Sequence, residues 1–339
     1  MDAAPDSRRN FVIAERESVQ RLLRMLATTG VALMLVVIVS SAYLRLAQAG
    51  LSCADWPACY GRVTTHAADA VTTAQRTARL AHRIAASAVG AVLLALLLVA
   101  AAQRPRLKRP TALAVAGLLV ALGLAILGSV LSEATLGVLL PAVTLANLTG
   151  GFALLSLLWW LRLTTLPPQL PMPECSAWVK LLAALALLAT IGQIALGALV
   201  SAKFAALACP AFPLCGADAP DGAFLSNLDI FAELAVGAGG AIARPPTLAA
   251  LHWAHRLGAH VVFAFAALLA LVFIRIGRGA RRLGIVVASL IVLQLALGAG
   301  AVLAELPLAV VLAHNLVAAL LLVALITANW HIHTAERAA

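Results

Sequence analysis

Residues 308–328 read LAVVLAHNLVAALLLVALITA, an apolar run broken in its first third by one imidazole and one amide, His314 and Asn315. A helix rises about 1.5 Å per residue, so roughly 20 apolar residues cross the ~30 Å hydrocarbon core of a bilayer. This stretch is therefore predicted to span a membrane. The same pattern recurs at approximately Met25–Tyr43, Ile84–Ala102, Thr111–Leu131, Leu140–Leu161, Val179–Val200, His255–Phe273 and Leu283–Leu303. Glu133 and Pro141 keep the third and fourth runs apart. Over all 339 residues, 63% are hydrophobic and 11% charged. Soluble domains carry about 45–50% and about 25%, so a soluble enzyme, a disordered tail and a nucleic-acid module are excluded as primary readings. The fold class is an all-α polytopic membrane protein with eight transmembrane helices.

The formal charge of +10 sits in short clusters between the runs, where it reports topology. Arg8, Arg9, Arg16, Arg21 and Arg24 precede the first run; Arg104, Arg106, Lys108 and Arg109 follow the second. Arg162 and Lys180 follow the fourth, and Arg275, Arg278, Arg281 and Arg282 follow the sixth. The alternate turns hold Glu133 and Glu305. Both termini are expected in the cytoplasm, with loops 46–81 and 201–254 facing outward. Residues 1–20 are polar and of mixed charge, unlike a cleavable export signal, and a bacterial inner membrane is the expected location. Trp159, Trp160, Trp178, Trp253 and Trp330 lie near run ends, at headgroup level.

The chain repeats itself. LSCADWPACYG at residues 51–61 matches LACPAFPLCG at 207–216, each with Cys, five residues, Cys, and Pro two before the second Cys. Ala81-His82-Arg83 is matched by Ala254-His255-Arg256, and Leu140-Pro141 before Asn147 by Leu306-Pro307 before His314. Three features in one order describe a four-helix unit duplicated in parallel. The expected organisation is a tail at 1–24, one bundle at 25–162, a linker at 163–178, a second bundle at 179–329 and a tail at 330–339.

Outward loops are oxidising ground. Cys53–Cys59 and Cys209–Cys215 are therefore read as two local disulfides, with a redox or metal role as the alternative. Cys175, in a Pro-rich cytoplasmic loop, is expected as a thiol.

Ionisable groups inside a bilayer are costly and usually functional. His255 and His314 stand just inside the outer ends of two helices running in the same direction, and so at similar depth. Two opposed imidazoles in a bundle core suit the axial positions of haem iron; the alternative is a pair of polar groups bonding across helices. Arg83 and Arg256 suit haem propionates, as planar and permanently charged donors, or they snorkel to headgroups. His252 lies three residues before His255, on its face if the helix starts early enough. His260 carries no assignment.

These residues resemble the haem A synthase family. The likeness lies in Tyr43-Leu-Arg-Leu with residues 49–61, Leu140-Pro with Gly150-Gly-Phe-Ala153, Ala206 to Cys215, His252-Trp-Ala-His-Arg256, and Leu306-Pro with Ala313-His-Asn315. The resemblance implies eight helices and oxidation of the C8 methyl of haem O to the formyl of haem A, for cytochrome oxidase maturation. It implies haem b, with its iron, on His255 and His314, and haem O in the first bundle on two histidines with a Glu three residues before the first. It further implies haem O, haem A and the lipid bilayer as partners, with haem O synthase, a cytochrome oxidase subunit or assembly factors beside them, and no nucleic acid.

His82 matches the first of those histidines, but the Glu falls on Arg79 and the second His on Asn147. An amide is no ordinary axial ligand, and Arg is no carboxylate. Three functions follow: a haem A synthase, a catalytically impaired haem-binding homologue that aids oxidase assembly, or a bis-His electron-transfer cytochrome.

Overall fold

The structure, a computed structural model, describes residues 4–48, 60–61, 72–103, 105, 107–132, 140–166, 175–209, 211–213, 215, 228–235, 242 and 247–335. Eight helices among them are long and apolar enough to cross a membrane. They are α1 (Ala4–Gln48), α2 (Thr73–Ala102), α3 (Lys108–Ser132), α4 (Pro141–Thr164), α5 (Ala177–Ala202), α6 (Leu248–Ile276), α7 (Arg278–Leu303) and α8 (Leu308–Ala335). The described residues contain no strand beyond a single bridge at Ile242.

Each half closes into a ring of four neighbours. In the first, α1 packs on α2, α2 on α3, α3 on α4 and α4 on α1; in the second, α5, α6, α7 and α8 do the same. The first core gathers Leu23, Met34, Leu93, Leu96, Leu155 and Leu158. The second gathers Leu182, Val262, Leu269, Phe273, Val287 and Leu325. Lipid tails are as apolar as these side chains, so close packing and interhelical hydrogen bonds hold such bundles together. Trp159 Nε1 donates to Thr327 Oγ1 at 2.8 Å, joining α4 to α8. Asn329 Nδ2 donates to the Ala183 carbonyl at 3.0 Å, joining α8 to α5.

Four helices depart most from the expected limits, one of them α8, which runs on to Ala335 into the tail expected at 330–339. The tail expected at 1–24 is helical from Ala4, because Pro5 suits a first turn and the Arg- and Glu-rich stretch behind it carries no helix breaker. α2 begins at Thr73, where Thr72 and Gln75 form a reciprocal capping box that satisfies end donors. α6 begins at Leu248, before His255, so the loop expected at 201–254 ends earlier.

The loops are tied together at one end of the molecule. Ile242 N donates to the Gly61 carbonyl at 2.9 Å, and Ala142 N to the Ile230 carbonyl at 2.9 Å. Tyr60 packs on Phe204 with ring centroids 5.9 Å apart. Cys209 and Cys215 are bonded, their Cα atoms 5.0 Å apart. Cys53 and Cys59 lie outside the described residues. Cys175 is buried, at 7% exposure.

Candidate functional site

The early start of α6 puts His252 and His255 three residues apart on one helix, and so on one face. His252 is 4% exposed, and its Nδ1 is buried without a hydrogen-bond partner among the described residues. His314 belongs to α8. In the second ring α6 and α8 each pack on both α5 and α7, so the two histidine-bearing helices occupy opposite corners.

The intervening helices carry matched supports. On α5, Gln193 Nε2 donates to the His255 carbonyl at 2.8 Å and lies 3.0 Å from His255 Nδ1. On α7, Gln294 Nε2 lies 3.2 Å from His314 Nε2. One turn on from each glutamine is a glycine at the edge of the same ring. A Cβ at Gly197 would stand 2.9 Å from His255 Cε1, and one at Gly298 would stand 3.2 Å from His314 Cε1. Gly258 in turn makes room for Gln193, whose Oε1 would meet a Cβ there at 2.2 Å. Both glutamine Oε1 atoms and His314 Nδ1 are buried without a hydrogen-bond partner among the described residues. Turning an amide over exchanges donor for acceptor, so Gln294 can accept a hydrogen bond from the His314 nitrogen facing it, while Gln193, fixed by its donation to the His255 carbonyl, presents its Nε2 to His255 Nδ1. A metal-ligating histidine wants that partner on its second nitrogen.

His252, His255, Arg256, His260, His314 and Arg45 all line one cavity of about 570 Å³. That size lies within the range of about 300–1,000 Å³ for small-molecule and cofactor pockets. Its walls are otherwise largely apolar, from Leu148, Phe152, Ile194, Ile291, Leu295 and Leu321. Two imidazoles on opposite helices, each with a glycine at its Cε1 edge and an amide beside it, fit a flat apolar ring with a metal at its centre. The orphaned Oε1 and Nδ1 atoms are the polar groups such a guest would engage or reorient.

Arg256 is otherwise employed. Its Nη1 donates to the carbonyls of Ala211 at 2.6 Å and Pro213 at 3.4 Å, and Nη2 donates to the Cys209 carbonyl. Arg256 thus pins the disulfide loop to α6, leaving Nε buried and unpartnered among the described residues. His260, exposed, has its Nδ1 2.8 Å from the Arg256 carbonyl.

The first half is built differently. His82 is partly buried on α2, with its Nδ1 3.3 Å from Ser40 Oγ. Arg79 shares the face of His82, one turn earlier, but is exposed, as are Arg83 and Asn147. None of these four residues lines the cavity described above. Gln193 precedes Cys209 by as many residues as Val37 precedes Cys53, and by the same count Gly197 corresponds to Ser41. By that register the first half has neither the glutamine nor the glycine that supports His255.

Sequence reasoning missed Gln193, Gly197, Gln294, Gly298 and Arg45. The signal was there: Gln193-Ile-Ala-Leu-Gly197 and Gln294-Leu-Ala-Leu-Gly298 are one pattern used twice, on the two helices between the histidines.

Among known proteins, the family described as cytochrome oxidase assembly protein matches residues 24–326. The heme A synthase of Shewanella oneidensis is 32% identical over 323 residues, covering 88% of this chain and 93% of that protein.

Proposed function

This chain belongs to the cytochrome oxidase assembly protein family, and from that membership we propose that it is a haem A synthase-like membrane oxidoreductase. In this reading the second half holds a resident haem b and the first half receives haem O as substrate, whose C8 methyl becomes the formyl of haem A. The observation that carries the reading is the pairing of His255 with Gln193 and Gly197, and of His314 with Gln294 and Gly298, around one cavity.

Haem b, when bound, supplies one-electron transfer. The chain's own residues do the rest. His255 and His314 would hold the iron, the two glutamines orient their rings, and the glycines make room for the Cε1 edges of those rings on α5 and α7. Apolar walls exclude water, and Arg256 holds the loop over the site. His82 is the one imidazole offered to haem O at the first-half positions that match the family's site residues. The termini lie on the cytoplasmic side of a bacterial inner membrane, following the basic clusters at that end.

A second reading, a haem-binding homologue with impaired catalysis, draws on Arg79 and Asn147. Both are exposed, and neither is an acid, a base or an ordinary iron ligand at neutral pH. Co-expression with a haem O source, followed by pigment extraction, separates the two. Haem A above the level of a vector control supports the synthase. Haem b bound with haem O unconverted supports the second reading.

A further inference from the structure

Arg45 lies in the last turn of α1, in the first half, yet it lines the cavity of the second. Its Nη1 donates to Ser41 Oγ at 3.0 Å, and its Nη2 reaches across to Asn315 Oδ1 on α8 at 3.4 Å. Asn315 is the neighbour of His314. The third arm, Nε, is buried and has no hydrogen-bond partner among the described residues.

A guanidinium stays charged at every accessible pH and carries five donors in a rigid fork. Buried in a membrane protein, it is retained where it meets an anion or a strong acceptor. Here it meets the Ser41 hydroxyl, one distant amide oxygen and the neighbouring Tyr60 on the cavity wall. Arg256, the other arginine on the cavity wall, likewise keeps a buried, unpartnered Nε. No Asp or Glu among the described residues lines this cavity. Two positive charges thus face an apolar chamber with no acid of the protein's own to balance them. The C-terminus of α1, where Arg45 lies, offers it only a partial negative charge.

We propose that Arg45 is the anion subsite of this cavity, and that it binds a carboxylate carried by the amphiphilic ring that the histidines hold. The inference rests on reading the cavity as a haem site, and it adds that the first half supplies a ligand-binding group to the second. Arg256, with both Nη atoms spent on the loop, contributes less. Asn315 is a positioning residue that holds the fork beside His314.

Metal-free protoporphyrin IX and its dimethyl ester test this apart from iron ligation. Binding of each to the purified full chain in detergent is followed by porphyrin fluorescence, and the ratio of the two affinities is compared between wild type and Arg45→Gln. The ratio cancels the different partitioning of acid and ester into micelles. We expect the preference for the diacid to fall roughly ten- to hundredfold in Arg45→Gln, the worth of one or two charge-assisted hydrogen bonds, with ester affinity unchanged. Where Arg45→Gln binds neither porphyrin, Arg45→Lys, which keeps the charge and loses the fork, is read by the same ratio, and a reduced preference is expected. A preference that persists undiminished in the variant, or no preference in wild type, overturns the proposal. Failure of the haem reading itself has a separate signature: iron protoporphyrin bound without a bis-imidazole spectrum.

Discussion

Gly197 of α5 lies against the Cε1 edge of the His255 imidazole, close enough that a Cβ at position 197 would stand 2.9 Å from Cε1. Gly298 of α7 has the same relation to His314, at 3.2 Å. Glycine in a helix interior costs about 1 kcal/mol relative to alanine, so these positions trade helix stability for ring placement.

The first prediction follows from that trade. Gly197→Ala should displace His255, and overpacking of this kind costs about 1–3 kcal/mol, or roughly 5- to 100-fold in haem retention. Gly298→Ala, with the looser contact, should do less. Haem content per purified chain measures both. Retention equal to wild type in Gly197→Ala would mean that the ring does not need this surface.

The glutamines give the second prediction. Gln193→Leu and Gln294→Leu keep volume and remove the amide beside each ring. Loss of such a partner to a metal-ligating histidine typically costs about 10–100-fold in metal affinity. Haem titration should register that loss, and the midpoint potential of the bound haem should move in both variants. Unchanged affinity and potential would reduce the glutamines to packing residues.

Much of this was legible in the residues before any coordinates. The eight apolar runs follow from composition, and His255 and His314 stand out by spacing; the structure brings those two histidines to one cavity. The supports do not stand out, because Gln193 and Gln294 read as single polar residues in apolar helices until their facing histidines are placed. Arg45 enters the sequence reading only within Tyr43-Leu-Arg-Leu; its reach to Asn315, 270 positions away, is a property of how the halves dock. The apolar count starts α6 at His255 because His252 interrupts it, although a buried, cavity-facing turn tolerates that imidazole.

A third prediction concerns Cys175. Burial pushes its thiol pKa up, while nearby Lys180 pulls it the other way, so less thiolate is present at a given pH than on an exposed cysteine. Thiolate is the reactive form. Maleimide labelling of the native protein at pH 8 should therefore be slow, rise with pH above the range of an exposed thiol, and become fast once the bundle is unfolded in dodecyl sulfate. Rapid native labelling at pH 7 would contradict the burial.

The first half yields the fourth. Arg79 sits one turn before His82 on α2, where it can attract an anion but cannot accept a proton. General acid–base catalysis contributes about 10²–10⁴-fold in rate, so turnover through this site should be slow. The double change Arg79→Glu with Asn147→His should raise haem A yield in cells supplied with haem O. An unchanged or lower yield would show that the first half works by other residues, or not at all.

The most direct test of the account is the absorption and electron paramagnetic resonance spectrum of the purified chain beside three single variants. Wild type, and His82→Ala after removal of any haem O, should both show a low-spin bis-imidazole haem b. His255→Ala and His314→Ala should each lose that signature, giving a high-spin or haem-depleted protein. A low-spin spectrum that survives unaltered in both His255→Ala and His314→Ala, and disappears in His82→Ala, would contradict the placement of the resident haem in the second half.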